Sequence, residues 1–199
     1  MIIFADDLTG AMDTGVKFSR STSPVIVLSD LNSLELKDNG IYVLNTNTRN
    51  LGKESAYLVL KAILRNIKNS NKIIYKKIDS TMRGNVGSEI RAFIEETDIN
   101  NVFICSANPS QGRLIKDGIL FLEGVKVEDT SSGKDSLKGI NTSEVIKIIS
   151  SQIDMPVYHV IEEKIKYFSL NLQEFNPVSY THLRAHETPE HLVCRLLLE

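Results

Sequence analysis

Apolar residues come in two rhythms along this chain. Short runs rich in apolar and β-branched residues have the length of buried strands: Ile2 to Ala5, Pro24 to Leu28, Ile41 to Leu44, Lys72 to Lys77, Asn101 to Ser106 and Pro156 to Ile161. Between them, apolar residues recur at three-to-four spacing. That spacing predicts helices over Thr9 to Arg20, Leu51 to Ser70 and Ser88 to Glu96. In the longest, Ala56, Val59, Leu60, Ile63 and Ile67 share one face. Strands alternating with helices predict an α/β fold, a three-layer α/β/α arrangement around a mainly parallel sheet.

The rhythm breaks after Ala107. NPSQGR is loop chemistry. Ile119 to Leu122 and Val125 to Val127, split by Glu123-Gly124, predict a small β-hairpin excursion outside the main sheet. Thr130 to Gly139 reads as a polar surface loop. Asn141 with Glu144 three residues on resembles a capping box, which starts a helix running to about Gln152.

Composition narrows the function. The chain has 199 residues, 42% hydrophobic content and a net charge of -2, which suits one globular domain with a small appendage. Near-neutral charge offers no general attraction to nucleic acid or anionic membrane. No apolar run approaches the ~20 residues of a membrane span. MIIFADD lacks the basic region and cleavage site of a secretory signal. The two cysteines, Cys105 and Cys194, suggest no disulfide framework. The expectation is a cytoplasmic protein with no nucleic-acid or membrane partner, and self-association into a homo-oligomer stays open.

The candidate chemistry sits where strands end. ADDLTGAMDTG, Ala5 to Gly15, puts Asp6 and Asp7 at a strand-to-helix junction, with Asp13 one helical turn on. In strand geometry the two adjacent carboxylates face opposite ways, so one of them faces a ligand. A carboxylate there can accept hydrogen bonds from hydroxyls or take a hydroxyl proton. The bland alternative is that Asp7 or Thr9 caps the helix. TNTRN, Thr46 to Asn50, offers Asn47 and Arg49 as ligand or loop-bracing groups. KKIDSTMRGNVG, Lys76 to Gly87, is the densest stretch. Asp79, Ser80, Thr81 and Arg83 are candidate ligand groups, Lys77 joins them, and Gly84 supplies a positive φ or a close backbone approach. Arg83 has the planar fork that grips a carboxylate or phosphate. The bland reading is a solvated turn with Lys76, Lys77 and Arg83 on the surface. ANPSQGR brings Arg113 toward the same edge. In open α/β sheets ligands bind at that edge. No Gly-x-Gly-x-x-Gly follows the first strand and no Gly-Lys-Ser/Thr loop occurs, so the chain can hold an acidic sugar but shows no place for a nucleotide. No metal site is expected.

These motifs resemble the four-carbon acid sugar kinase family. Four strings occur in the family's order: ADD-x-TGA-x-DTG, T-N-[TS]-R, K-x-DST-x-RGN and P-x-x-GR-x-x-x-x-G, at Ala5–Gly15, Thr46–Arg49, Lys77–Asn85 and Pro109–Gly118. The resemblance implies an ATP-dependent kinase of threonate or erythronate type, with a sugar-acid-binding N-terminal domain and an ATP-binding C-terminal one. It implies that Arg83 and Arg113 hold the carboxylate. Asp79, Ser80 and one of Asp6 or Asp7 fix the hydroxyls, and Asp7 acts as base. ATP and Mg²⁺ belong to the full-length family member, and neither is expected to bind this fragment tightly. Asp135 and Ser143 match the family's polar anchors in the later loop.

Residues 1–177 are expected to form the sugar-acid-binding domain, with the ATP-binding domain absent and the isolated fragment inactive. Residues 178–199 are expected to be a non-native or disordered tail. VSYTHLRAHETPEHLVCRLLLE resembles a translated sequencing adapter, and the cluster of His182, His186, His191 and Cys194 is read as accident rather than a metal site. Two rival functions remain: a sugar-acid binding module without catalysis, and an aspartate-dependent phosphohydrolase. The second would favour a D-x-D over adjacent aspartates.

Overall fold

The computed structural model describes residues 1–19, 24–31, 36, 40–67, 74–97, 102–159, 179–181 and 195–198. Strands β1 (Ile2–Ala5), β2 (Val25–Leu28), β3 (Ile41–Asn45) and β4 (Ile74–Lys77) form a parallel sheet in the order β2-β3-β1-β4. Alternation along β1 separates its two faces. Ile3 and Ala5 pack with Val43, Tyr75 and Ala11 of helix α1 (Leu8–Phe18). Ile2 and Phe4 pack with Tyr42 and Leu44 against α2 (Lys53–Ile67) and α3 (Val86–Glu96). Phe4 meets Phe93 edge-on, with ring centroids 5.0 Å apart. The expected α/β layering with a mainly parallel sheet is therefore present.

The register decides where the site forms. Ala5 pairs with Asn45 on one side and Lys77 on the other. The three strands end level, so Asp6, Thr46 and Ile78 leave the sheet side by side.

Strand β5 (Val102–Cys105) lies beyond β4, and after it the chain makes its excursion. The expected hairpin is a three-stranded antiparallel sheet of β6 (Arg113–Lys116), β7 (Ile119–Leu122) and β8 (Val125–Lys126). The extra strand follows from a turn at Asp117-Gly118 that pairs β6 with β7. Both residues have positive φ, +50° and +77°, as do Glu123 and Gly124 at the next turn. That is the mirror-image turn that closes two-residue hairpins. Helix α4 (Val145–Ser150) is shorter than expected, and Asn141 does not cap it. Its N-cap is Glu144, which makes no side-chain capping bond.

Strand β9 (Val157–His159) lies at the far edge of the main sheet. The stretch read as a non-native or disordered tail contributes backbone at two places. Strand β10 (Ser179–Thr181) lies between β5 and β9, and β11 (Arg195–Leu198) runs antiparallel between β4 and β5. His182, His186, His191 and Cys194 lie outside the described residues. No described helix is long and apolar enough to cross a membrane.

Candidate functional site

A cleft of about 670 Å³ opens at the carboxyl ends of β1, β3 and β4, a size common for small-molecule sites. Its walls include Asp7, Asp13, Arg49, Lys77, Asp79, Ser80, Arg83 and Arg113. Eight of the sequence candidates, spread over more than a hundred residues of chain, thus border one space. Four do not. Asp6 is buried behind the wall, and Thr81 is buried and donates its hydroxyl to Asp79 Oδ2 at 2.6 Å. Asn47 is exposed, its N–H bonded to Asn45 Oδ1 at 3.2 Å. Gly84 has φ +95°, as its role required, and a Cβ there would lie 3.1 Å from Asp6 Oδ2.

Arg49 organises the junction. Its Nε and Nη2 donate to the two oxygens of Asp6, each at 2.9 Å. Its Nη1 donates to Asp7 Oδ2, and Nη2 stands 3.8 Å from Asp79 Oδ1. Opposite-facing carboxylates were expected from Asp6 and Asp7, but the strand stops at Ala5 and the turn brings both to one guanidinium. Burial lowers the Arg49 pKa, but the hydrogen bond to Asp6 and the charges of Asp6, Asp79 and Asp7 outweigh it and raise it further. Asp7 also caps α1, its Oδ1 accepting Gly10 N–H at 2.9 Å. Capping and cleft lining coexist in one residue. With both oxygens held by donors, the carboxylate is oriented, and each oxygen keeps a lone pair for a ligand hydroxyl.

Arg83 makes a second fork, and the fork is already occupied. Nε and Nη2 donate to Asp79 at 2.8 and 3.2 Å, and Nη1 reaches Asp135 Oδ2 at 3.3 Å. Asp135 is held in turn by the N–H groups of Leu137 and Lys138, which lower its pKa ahead of any effect of Arg83. The 133–139 loop is thereby tied to the cleft wall. Burial pushes the Asp79 carboxyl up, but bonds from Arg83 and Thr81 and the charge of Arg49 prevail and bring it down to about 2.

That shift sets an acid limit. A carboxylate with a depressed folded pKa stabilises the fold above its ordinary pKa, here 3.8, and loses that contribution as pH falls through about 2. We expect acid to remove roughly 2 kcal/mol through this group between about pH 4 and pH 2. Urea unfolding across that range should show the slope, and Asp79→Asn should flatten it.

Donors not engaged by internal carboxylates lie elsewhere in the cleft. Lys77 Nζ bonds only the carbonyl of Ile78, at 2.8 Å, among the described residues. Arg113 donates Nη1 to the Gln111 carbonyl, while its buried Nε and the buried Thr14 Oγ1 have no partner among the described residues. Asn108 and Gln111 add amides to this wall, and Lys17 adds a cation. Sequence reasoning passed over Asn108 and Gln111 although both lie in the ANPSQGR string, because a loop alone does not say which side chains turn toward α1. Five cationic residues and three carboxylates line the cleft, and Asp6 and Asp135, paired with Arg49 and Arg83 beside it, balance the charge, so among the described residues the cationic groups free of a carboxylate partner are Lys17, Lys77 and Arg113.

The larger surprise lies below the rim. Lys76, whose bland reading was a surface position, is fully buried, and its Nζ pairs with Glu89 Oε2 at 2.8 Å. Burial, the largest influence, raises the Glu89 pKa against the pull of Lys76. Among the described residues no three metal-ligating side chains cluster.

Residues 1–189 match the model of the sugar-binding N-terminal domain family. D-threonate kinase of Salmonella typhimurium is 30% identical over 83% of this chain and 40% of its own length. D-erythronate kinase of Heliobacterium modesticaldum is 29% identical over 76% of this chain and 36% of its own. The chain therefore spans about two fifths of the length of the curated relatives it matches. A Bordetella bronchiseptica structure, described as a domain of unknown function in a domain-swapped dimer with bound citrate, shares the fold. Its TM-score is 0.74 at 24% identity, over 90% of this chain and 47% of that one.

Proposed function

Because the chain belongs to the sugar-binding N-terminal domain family, whose matched relatives include kinases of four-carbon sugar acids, we propose that it is the substrate-holding half of such a kinase. The observation that carries this is the cleft itself. Cationic groups not paired to carboxylates (Lys77, Arg113), oriented carboxylates and hydroxyl or amide groups share one rim, which is the chemistry of a small polyhydroxy carboxylate. The ligand carboxylate would take the spare donors of Lys77 and Arg113, since Arg83 is engaged by Asp79 and Asp135. Its hydroxyls would meet Asp7, Asp79 and Ser80. Asp7, fixed by Gly10 and Arg49, would accept the proton of the attacking hydroxyl.

ATP and Mg²⁺ are assigned to the polypeptide that the longer relatives carry. Among the described residues no three side chains form a metal-ligand cluster. Phosphoryl transfer depends on positioning and charge, and this domain supplies the acceptor's share of both. The chain alone is proposed to bind without turning over, in a cytoplasmic setting consistent with its lack of a disulfide framework.

Titration calorimetry with threonate and erythronate, beside an assay for ATP-dependent phosphorylation, tests the proposal. Heat of binding without product is the expected result. Arg113→Ala should weaken binding about tenfold, the worth of one charge-assisted hydrogen bond. No heat with either acid would remove the sugar-acid reading. Phosphate release from a phosphorylated sugar acid would favour the hydrolase.

A further inference from the structure

Arg49 is presented by a tight turn, Thr48 to Leu51, closed by Leu51 N–H to the Thr48 carbonyl at 3.1 Å and tied to the end of β1 by Arg49 N–H to the Asp6 carbonyl at 3.1 Å. The Thr48 hydroxyl also meets that of Thr46 at 2.8 Å. The turn's side-chain anchors on the other side come from α3. Asn85 is buried, and its amide nitrogen donates to the carbonyls of Thr48 at 2.8 Å and Leu51 at 3.0 Å, with Arg49 O at 3.4 Å. Glu89 accepts the hydroxyl of buried Thr48. Glu89 is itself held by Lys76 of β4.

Two features set these contacts apart from ordinary packing. Asn85 is the N-cap of α3, where an asparagine side chain normally bonds the first free N–H groups of its own helix. It makes no such bond. Gln152 Oε1 serves Gly87 N–H instead, at 2.9 Å, and the Asn85 amide is turned to the neighbouring turn. The amide oxygen of Asn85 accepts Lys138 Nζ at 3.3 Å, so the 133–139 loop that holds Arg83 through Asp135 reaches the same residue. Glu89, in turn, is buried far from solvent, where an ionised carboxylate is costly unless it is paired. Each group gives one end of its side chain to the segment that aims Arg49, the Asn85 amide nitrogen and Glu89 Oε1.

We propose that Asn85 and Glu89 are positioning residues for Arg49: together they hold the Thr48–Leu51 turn, and through it the guanidinium that orients Asp6, Asp7 and Asp79. Their part in ligand binding rests on the sugar-acid reading above, whereas their hold on Arg49 does not. Neither residue lines the cleft, so their effect on a ligand passes through Arg49.

The test uses the whole chain and two readouts. The first is hydrogen exchange of the Arg49 side-chain Nε–H, followed by nitrogen-15 NMR and identified by its loss in Arg49→Lys. The second is affinity for threonate or erythronate, measured well below the melting temperature. Thr48→Val deletes the hydroxyl that bonds both Glu89 and Thr46 at nearly constant volume, Thr48→Ser keeps it, and Asn85→Ala removes the amide clamp. In Thr48→Val and Asn85→Ala we expect Nε–H exchange to speed up, and binding to weaken, by about tenfold or more, what a lost buried hydrogen bond is worth. Thr48→Ser should stay near the parent in both. If Asn85→Ala fails to fold, the valine and serine pair decides. Unchanged Nε–H exchange in folded variants overturns the proposal, even if the melting temperature falls. Faster exchange with unchanged affinity overturns it too. If the parent binds neither acid, the sugar-acid reading fails by itself and the exchange readout still judges the hold on Arg49.

Discussion

Arg49→Ala is expected to lower stability by about 3–5 kcal/mol, the usual consequence of removing one partner from a buried ion pair. Asp6 is 2% exposed and accepts two bonds from this guanidinium. Without Arg49 both of its oxygens lose their guanidinium donors. Asp7 and Asp79 lose the same neighbour, and three carboxylates then face one another around the end of β1. Urea unfolding at neutral pH measures the loss. Arg49→Lys should recover only part of it, because an ammonium cannot reproduce a fork spanning two aspartates. Asp6→Asn added to Arg49→Ala should recover more than it would by itself, since it removes the stranded charge. If Arg49→Ala melts within about 1 kcal/mol of the parent, the value of an exposed pair, the described burial of this cluster is wrong.

Lys76→Met should cost a similar 3–5 kcal/mol by stranding Glu89 in the interior. The loss should depend on pH in the direction opposite to that of Asp79. Burial raises the Glu89 carboxyl above its ordinary 4.5, and removing the ammonium removes the main opposing influence. A carboxyl raised in the folded state binds more protons there than in the unfolded chain. Its penalty therefore grows as pH rises above the ordinary value and shrinks as pH falls back toward it. The variant should be relatively more stable at about pH 5 than at about pH 8. Adding Glu89→Gln should return much of the loss, since a neutral amide still accepts the Thr48 hydroxyl. Chemical denaturation of the single and double variants at both pH values checks this. Equal stability at both pH values for Lys76→Met would show that Glu89 is not the stranded group.

The strands, the helices and the edge on which the candidates gather were legible because each depends on local pattern. The unbroken apolar run Ile2-Ile3-Phe4-Ala5 marks a strand buried on both faces before any partner is known. The DST-x-RGN string marks a turn with a required positive φ, found at Gly84. Where local signals compete, the reading slipped. Asn141 and Glu144 have capping-box spacing, yet Glu144 forms an isolated bridge with Ile119 and the helix starts after it. Asp117-Gly118 is as good a turn signal as Glu123-Gly124, but β6 directly follows the NPSQGR loop string, which masks its start.

Partner choice among charged groups was not legible. The chain itself determined that acids follow β1, that a guanidinium follows β3, and that an acid, hydroxyls and a guanidinium follow β4, because residue type and spacing are written locally. Only the tertiary structure decided that Arg49 binds Asp6 and Asp7, that Arg83 is spent on Asp79 and Asp135, and that Lys76 goes inward to Glu89. The reason is register. Level pairing of Ala5 with Asn45 and Lys77 brings side chains more than forty positions apart within hydrogen-bond reach, and no periodicity in the sequence encodes which of several nearby opposite charges a given one will meet.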